Sequence, residues 1–130
     1  MKIVIGYEGS SASNEALKLA KKHAKAFDAK VYVLTSMVGG SKEELQDIKK
    51  AQQDLENAKT LLEKEGISCE THQLVHGLTP GEDLVQFVEE NNVDEIIIGI
   101  IKKSKMEKLV FGSTAQYVIL KASCPVVTVK

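Results

Sequence analysis

Apolar residues along this chain follow two alternating rhythms. Short runs at 2–6 (KIVIG), 30–35 (KVYVLT), 68–76, 94–98 and 125–129 (PVVTV) read as five strands. Between them the apolar positions recur every three or four residues, the spacing that puts side chains on one face of a helix. Residues 12–27 predict a helix with Ala16, Ala20, His23 and Phe27 on its inner face, His23 being a packing residue at the core edge. Ser41-Lys42-Glu43-Glu44 has the form of a capping box and starts a long helix with one stripe: Leu45, Ile48, Ala51, Leu55, Ala58 and Leu62. Gly66 stands where a left-handed C-terminal cap is expected. A stripe this narrow packs on a sheet and leaves the other face wet. Thr79-Pro80-Gly81-Glu82 is a second capping box, with proline at the first helical position and Leu84, Phe87 and Val88 behind it. The last helix is expected over 114–121, its inner side carrying Ala115, Val118, Ile119 and Ala122.

Strands separated by helices require parallel crossovers, and those crossovers are right-handed. The pattern therefore predicts an α/β fold: a single-domain, doubly wound, five-stranded parallel sheet with helices on both faces, spanning residues 1–130. Such sheets hold ligands beyond the carboxyl ends of their strands, where strand order reverses. That edge would carry Tyr7-Glu8-Gly9-Ser10, Thr35-Ser36-Met37, His76-Gly77 and the segment from Gly99 onward. Val38-Gly39-Gly40 is a three-residue joint before the long helix. No repeat or low-complexity tract competes with this organisation.

Composition narrows the function classes. With 43% hydrophobic residues the chain can bury a real core, and its net charge of -1 argues against a general nucleic-acid binder or a membrane-surface protein. All 17 basic residues are lysine, so any phosphate is held by backbone donors and compact ammonium groups, not by bidentate guanidinium forks. Cys69 and Cys124, 55 residues apart with no metal-ligand spacing, fit free thiols in a reducing compartment. The opening MKIVIGYEG has no extended apolar leader, and no run of 18 apolar residues occurs, so a cytoplasmic location is expected.

The segment from Gly99 to Thr114 concentrates the candidate chemistry. A strand ends at Ile98-Gly99, a loop rich in lysine follows (Lys102, Lys103, Lys105, Lys108), and Gly112-Ser113-Thr114 opens a helix. Small residues at a helix start let an anion reach amides that have no partner inside the helix, and the macrodipole favours negative charge there. Ser113 also suits a plain N-cap, worth roughly 1 kcal/mol to the helix. His72 and His76 fall on one strand face without a third ligand at metal spacing, so no metal site is expected, although His76 could line the cleft. Cys124, just before Pro125, reads as a packing position.

Three stretches together resemble the universal stress protein family over essentially the whole chain: IVIGYEGSSASNEAL, HGLTPGEDL and GIIKKSKMEKLVFGSTAQYVILKASCPVVTV. Nucleotide-binding members are marked by glycine, two residues, glycine, nine residues, then glycine and serine or threonine. Here Gly99, Ile100, Ile101, Lys102, nine residues and Gly112-Ser113 keep the spacing and replace the second glycine by lysine. Glycine there permits a close approach of phosphate to the backbone. Lysine offers charge to a polyphosphate, or bulk in its space, and the sequence leaves both readings open. The resemblance implies an adenine nucleotide alpha hydrolase-like, Rossmann-like fold and a small regulatory module that binds ATP, with or without Mg2+, or a related adenine nucleotide. It implies adenine and ribose near Gly6, Tyr7 and Glu8 and near Ser36 and Met37. Ile98, Gly99 and Lys102 would border ribose and phosphates, and Gly112, Ser113 and Thr114 would supply donors to the phosphate tail. Glu8 stands where the family usually has aspartate, and reads either as an acceptor for ribose hydroxyls or as a solvated loop carboxylate. The family also implies a homodimer through the last strand, 125–129; the charge balance above is the ground for expecting no nucleic-acid or membrane partner.

Other doubly wound families fit less well. A response-regulator receiver needs an acidic pair after the first strand, and Glu8 is alone; EGSSAS only loosely imitates a flavodoxin phosphate loop; no GxxxxGK[ST] occurs. Only Glu8 or His76 offers itself as a general base, and arginine is lacking for transition-state charge, which points to slow ATP hydrolysis at most. The alternative reading is a nucleotide-free dimerisation or scaffold protein whose loop is filled by lysine side chains.

Overall fold

The computed structural model describes residues 1–37, 42–75, 78–100 and 112–130. Expectations at Val38-Gly39-Gly40, the Ser41 capping box, His76, Gly77 and the loop from 101 to 111 with its four lysines lie outside the described residues. The elements run β1 (Lys2–Gly6), α1 (Ser11–Phe27), β2 (Lys30–Ser36), α2 (Lys42–Lys64), β3 (Cys69–Leu74), α3 (Pro80–Glu90), β4 (Glu95–Gly99), α4 (Ser113–Lys121) and β5 (Val126–Val129). All four ladders are parallel and the strand order is β3-β2-β1-β4-β5. The chain builds outward from β1 to β3, then crosses back to lay β4 on the other side of β1. The order reverses between β1 and β4.

The sheet divides the core in two. On one face Ile3, Ile5, Val31, Val33 and Ile97 pack against Ala16, Ala20 and Ala24 of α1 and Leu55, Ala58 and Leu62 of α2. On the other, Val4, Tyr32, Leu34, Ile96 and Ile98 meet Leu84, Val85 and Val88 of α3 and Ala115 and Val118 of α4. The central strand β1 is therefore sealed on both sides, which is why its interior is an unbroken apolar run. Alanine on the inner stripe of α1 lets that helix lie close to the sheet. The closest approach is at Gly99, where an added Cβ would stand 2.3 Å from the Ala12 carbonyl oxygen.

Caps set the helix ends. Ser10 caps α1, its hydroxyl accepting from Ser13 N–H at 3.1 Å, and Thr79 with Glu82 forms the expected reciprocal box at α3. Gly66 takes the left-handed conformation after α2, at φ 76°. At α4 the expectation of Ser113 as N-cap is corrected. Gly112 holds that position in extended geometry, and no side chain among the described residues caps the helix.

Three apolar residues placed on inner faces point outward instead. Phe27 is 59% exposed, Leu45 59% and Ile119 43%. For Leu45 the cause is length: the 23 residues of α2 span about 35 Å against about 23 Å for the seven of β2, so the first turns of α2 overrun the strand beneath them. Phe27 likewise ends α1 past the sheet, where His23 meets its ring edge-on at a centroid distance of 6.0 Å. His23 does stand at the core edge, and there its Nδ1 donates to Glu95 Oε1 at 2.6 Å.

Candidate functional site

A cavity of about 670 Å³ opens at the carboxyl edge of the sheet, between the ends of β1 and β4. That is the switch point, where crossovers leaving in opposite directions part and leave a crevice. The volume lies within the range of small-molecule and cofactor pockets. No helix among the described residues is long and apolar enough to cross a membrane.

The walls come from six elements. Gly6, Tyr7 and Glu8 follow β1; Leu34, Thr35 and Ser36 end β2; Ile98, Gly99 and Ile100 end β4; Pro80 and Leu84 come from α3; Gly112, Ser113, Thr114 and Ala115 open α4; Ser10 and Ser13 belong to the start of α1. Eight of the candidate residues, Gly6, Tyr7, Glu8, Ser36, Ile98, Gly99, Ser113 and Thr114, therefore meet around one space, with Gly112 as a ninth. Met37 stands apart from that lining. Its amide donates to the Leu74 carbonyl at 2.8 Å, continuing the β2–β3 ladder, and its sulfur lies 3.1 Å from Gln73 Nε2. Lys102 lies outside the described residues.

One side of the cavity is apolar and the other polar. Leu34, Leu84, Ile98 and Ala115 belong at once to the lining and to the core between the sheet and the α3/α4 layer, so the cavity floor is an extension of that core. Opposite stand the start of α1 and the loop after β1. Ser10 Oγ donates to a Glu8 carboxylate oxygen while accepting from Ser13 N–H, which ties Glu8 to the first turn of α1. Tyr7 turns inward: its hydroxyl donates to Asn14 Oδ1 at 2.7 Å and its carbonyl accepts from Thr35 Oγ1 at 2.6 Å. Burial, and after it the negative charges of Asp54 and Glu8, raise the Tyr7 phenol above its ordinary value, so it stays a neutral donor.

At the far end α4 begins. The first intrahelical bond is donated by Gln116 N–H to the Gly112 carbonyl at 3.0 Å, so the amides of Ser113, Thr114 and Ala115 come before the ladder starts. Among the described residues, chain neighbours aside, no heavy atom lies within 4 Å of a Cβ added at Gly112. With no side-chain cap from the described residues, this end presents donors and the positive pole of a helix at the cavity wall.

Sequence reasoning put Ser10, Thr35 and Ile100 at this edge without giving them a role, and it missed Ser13, Leu34, Pro80, Leu84 and Ala115 as lining residues. Ser10 and Pro80 were legible as helix-start signals, and helix starts after parallel strands gather at this same edge. Asp83 was also missed: it is buried behind the lining and accepts from Ser36 Oγ. Among the described residues no group of three or more His, Cys, Asp or Glu side chains could hold a metal ion. His72 pairs with Glu70 at 3.2 Å and packs between Tyr32 and Phe87, away from the cavity lining.

A doubly wound parallel sheet with a ligand-sized cavity at its switch point defines a Rossmann-like α/β protein with the adenine nucleotide alpha hydrolase arrangement. The chain belongs to the universal stress protein family, whose sequence profile matches residues 1–130. A universal stress protein of Methanocaldococcus jannaschii is 36% identical over 140 residues, covering 99% of this chain and 81% of the relative. Among solved structures, a universal stress protein from Archaeoglobus fulgidus superposes with a TM-score of 0.87 at 38% identity, covering 100% of this chain and 93% of that one. A structure of the universal stress protein from Archaeoglobus fulgidus in complex with dAMP gives 0.82 at 36% identity, covering 100% and 98%.

Proposed function

We propose that the cavity binds an adenine nucleotide, ATP or a close relative, and that the protein is a small cytoplasmic regulatory module, one domain over residues 1–130, that answers to nucleotide occupancy. The observation that carries this reading is the pairing of an apolar floor with an uncapped helix start across one cavity. A base is flat and apolar on its faces; a phosphate tail is anionic and accepts hydrogen bonds. The floor of Leu34, Leu84 and Ile98 suits the first, and the amides of Ser113 to Ala115 suit the second. Glu8, held by Ser10, lines the same cavity and offers an acceptor suited to ribose hydroxyls. The related Archaeoglobus fulgidus protein in complex with dAMP supports the ligand class. Lys102 and its neighbouring lysines would add charge to the phosphate end, and Mg2+ would come with the triphosphate. Calorimetric titration with ATP and magnesium tests the reading: saturable heat is expected, and heat equal to that of buffer at millimolar ligand rejects it.

A second reading is a nucleotide-free homodimer or scaffold, and the observation favouring it is that β5 ends the sheet with no further strand beside it among the described residues. Ile96 N–H donates to the Pro125 carbonyl and Ile100 N–H to the Val129 carbonyl, so the backbone groups of Val126 and Thr128 face away from β4, since alternate residues of a parallel strand address opposite neighbours. Pairing two copies along residues 125–129 would satisfy those groups. ATP separates the readings by thermal shift: the midpoint rises under the first and stays flat under the second.

A further inference from the structure

Among the described residues Asp83 is the one charged side chain that the fold buries, at 1% exposure. It lies in the first turn of α3 and accepts a hydrogen bond from Ser36 Oγ, at the carboxyl end of β2. Side chains alternate along a strand, so Ser36 shares the face of β2 that carries Leu34, the face forming the apolar floor of the cavity. Ser36 lines the cavity and Asp83 stands behind it.

Burying a carboxylate is costly unless it is hydrogen-bonded, and here one of its bonds goes to a hydroxyl at a cavity wall. An ionised carboxylate can only accept, whereas a hydroxyl has one hydrogen to give and two lone pairs to offer. The Ser36 hydrogen is committed to Asp83. What Ser36 turns to the cavity is then oxygen lone pairs, and the group opposite them must be a donor.

We infer that Asp83 fixes Ser36 as a hydrogen-bond acceptor at the base end of the cavity and thereby selects 6-aminopurine over 6-oxopurine nucleotides. The inference rests on the adenine-nucleotide reading above and gives it a specificity determinant. An exocyclic amino group donates to Ser36. A 6-oxo group sets one acceptor against another and leaves both unpaired in an apolar slot. Asp83 is a positioning residue: it acts through Ser36 and does not line the cavity.

The test compares ATP with ITP, which share ribose and phosphates and differ at the 6-position and in the hydrogen that the 6-oxo base carries on N1; a preference read at N1 alone would survive Ser36→Ala. Calorimetric dissociation constants are measured for the parent chain, Ser36→Ala and Asp83→Asn. The parent is expected to prefer ATP on the order of tenfold or more, the scale of one buried polar group left unpaired. Ser36→Ala should bring the ratio to within about twofold, since neither ligand then meets the acceptor. Asp83→Asn should lower it as well, because the amide can donate to Ser36 and free its hydrogen for the ligand. A merely structural role would weaken both nucleotides together and keep the ratio. A parent ratio near one, or a ratio unchanged in Ser36→Ala, overturns the inference while nucleotide binding stands. Should Asp83→Asn fail to fold, Ser36→Ala still decides. If the parent binds neither nucleotide, the reading of the cavity falls and the inference with it.

Discussion

Gly99 and Ala12 touch backbone to backbone: a Cβ on Gly99 would lie 2.3 Å from the Ala12 carbonyl oxygen and 2.9 Å from the Ala12 Cβ. The start of α1 is thereby pressed against the end of β4, and the two walls of the cavity are held at a fixed spacing. Gly99→Ala is expected to destabilise the fold by about 3 kcal/mol, the upper end of overpacking, because a backbone oxygen cannot rotate away as a side chain can. Denaturant unfolding checks this, and an unchanged midpoint would show that the contact gives way freely.

Gly112 makes the opposite case. No described residue other than its chain neighbours comes within 4 Å of a Cβ there, and its φ of -64° suits any residue. Gly112→Val should cost the fold no more than about 1 kcal/mol, the difference between glycine and a branched residue at an N-cap, yet abolish nucleotide binding by covering the α4 amides. Thermal unfolding and titration of the same sample separate the two effects, and retained affinity would contradict the placement of phosphate.

The reciprocal box at α3 is a stability device beside the cavity. Thr79 accepts from Glu82 N–H through its side chain, and Glu82 Oε1 accepts in return from Thr79 N–H. Thr79→Ala should lower unfolding free energy by about 1 kcal/mol, while Thr79→Ser restores most of it. Equal losses in both variants would mean that the threonine methyl, not the hydroxyl, matters.

Cys69 gives a pH signature. Burial pushes its thiol from an ordinary 9.0 up to about 11, with the nearby Glu63 carboxylate adding to the rise. The folded thiol keeps its proton where the unfolded one has lost it, so its contribution is intact below pH 9 and is lost as pH climbs from 9 to 11. Denaturant midpoints across that window should fall more steeply for the parent than for Cys69→Ala. The comparison belongs in a Cys124→Ser background, since burial raises that thiol too. Parallel curves would contradict the assignment.

Thr128 addresses the open edge of the sheet, while Val127 and Val129 keep the ladder to β4. Thr128→Pro removes an outward donor and leaves the inner bonds in place, so a homodimer paired through this strand should sediment as monomer at micromolar concentration. A dimer that survives the substitution uses another surface.

Much of the architecture was legible because β1 and β4 carry solid apolar runs and because Thr79, Pro80 and Gly66 obey local rules that need no tertiary partner. The burial of Phe27 and Leu45 was misread because a helical period says which residues share a face, not how far the sheet beneath extends. Ser113 was expected to cap α4 by residue type, yet glycine one position earlier takes the extended geometry. At the site, glycines and small polar residues after strands were readable from position along the chain. Asp83 was not: an acid in a first helical turn reads as a complement to the dipole, and Ser36 is 47 residues away in sequence. Its meaning comes only from the packing of α3 on β2.

Two helices begin at this cavity on different terms. The start of α1 spends the Ser10 hydroxyl on its own Ser13 amide and on Glu8, whereas α4 keeps its leading amides without a side-chain partner among the described residues. The space thus has a head and a tail. For an elongated ligand with one charged end, the two ends of this space are not interchangeable.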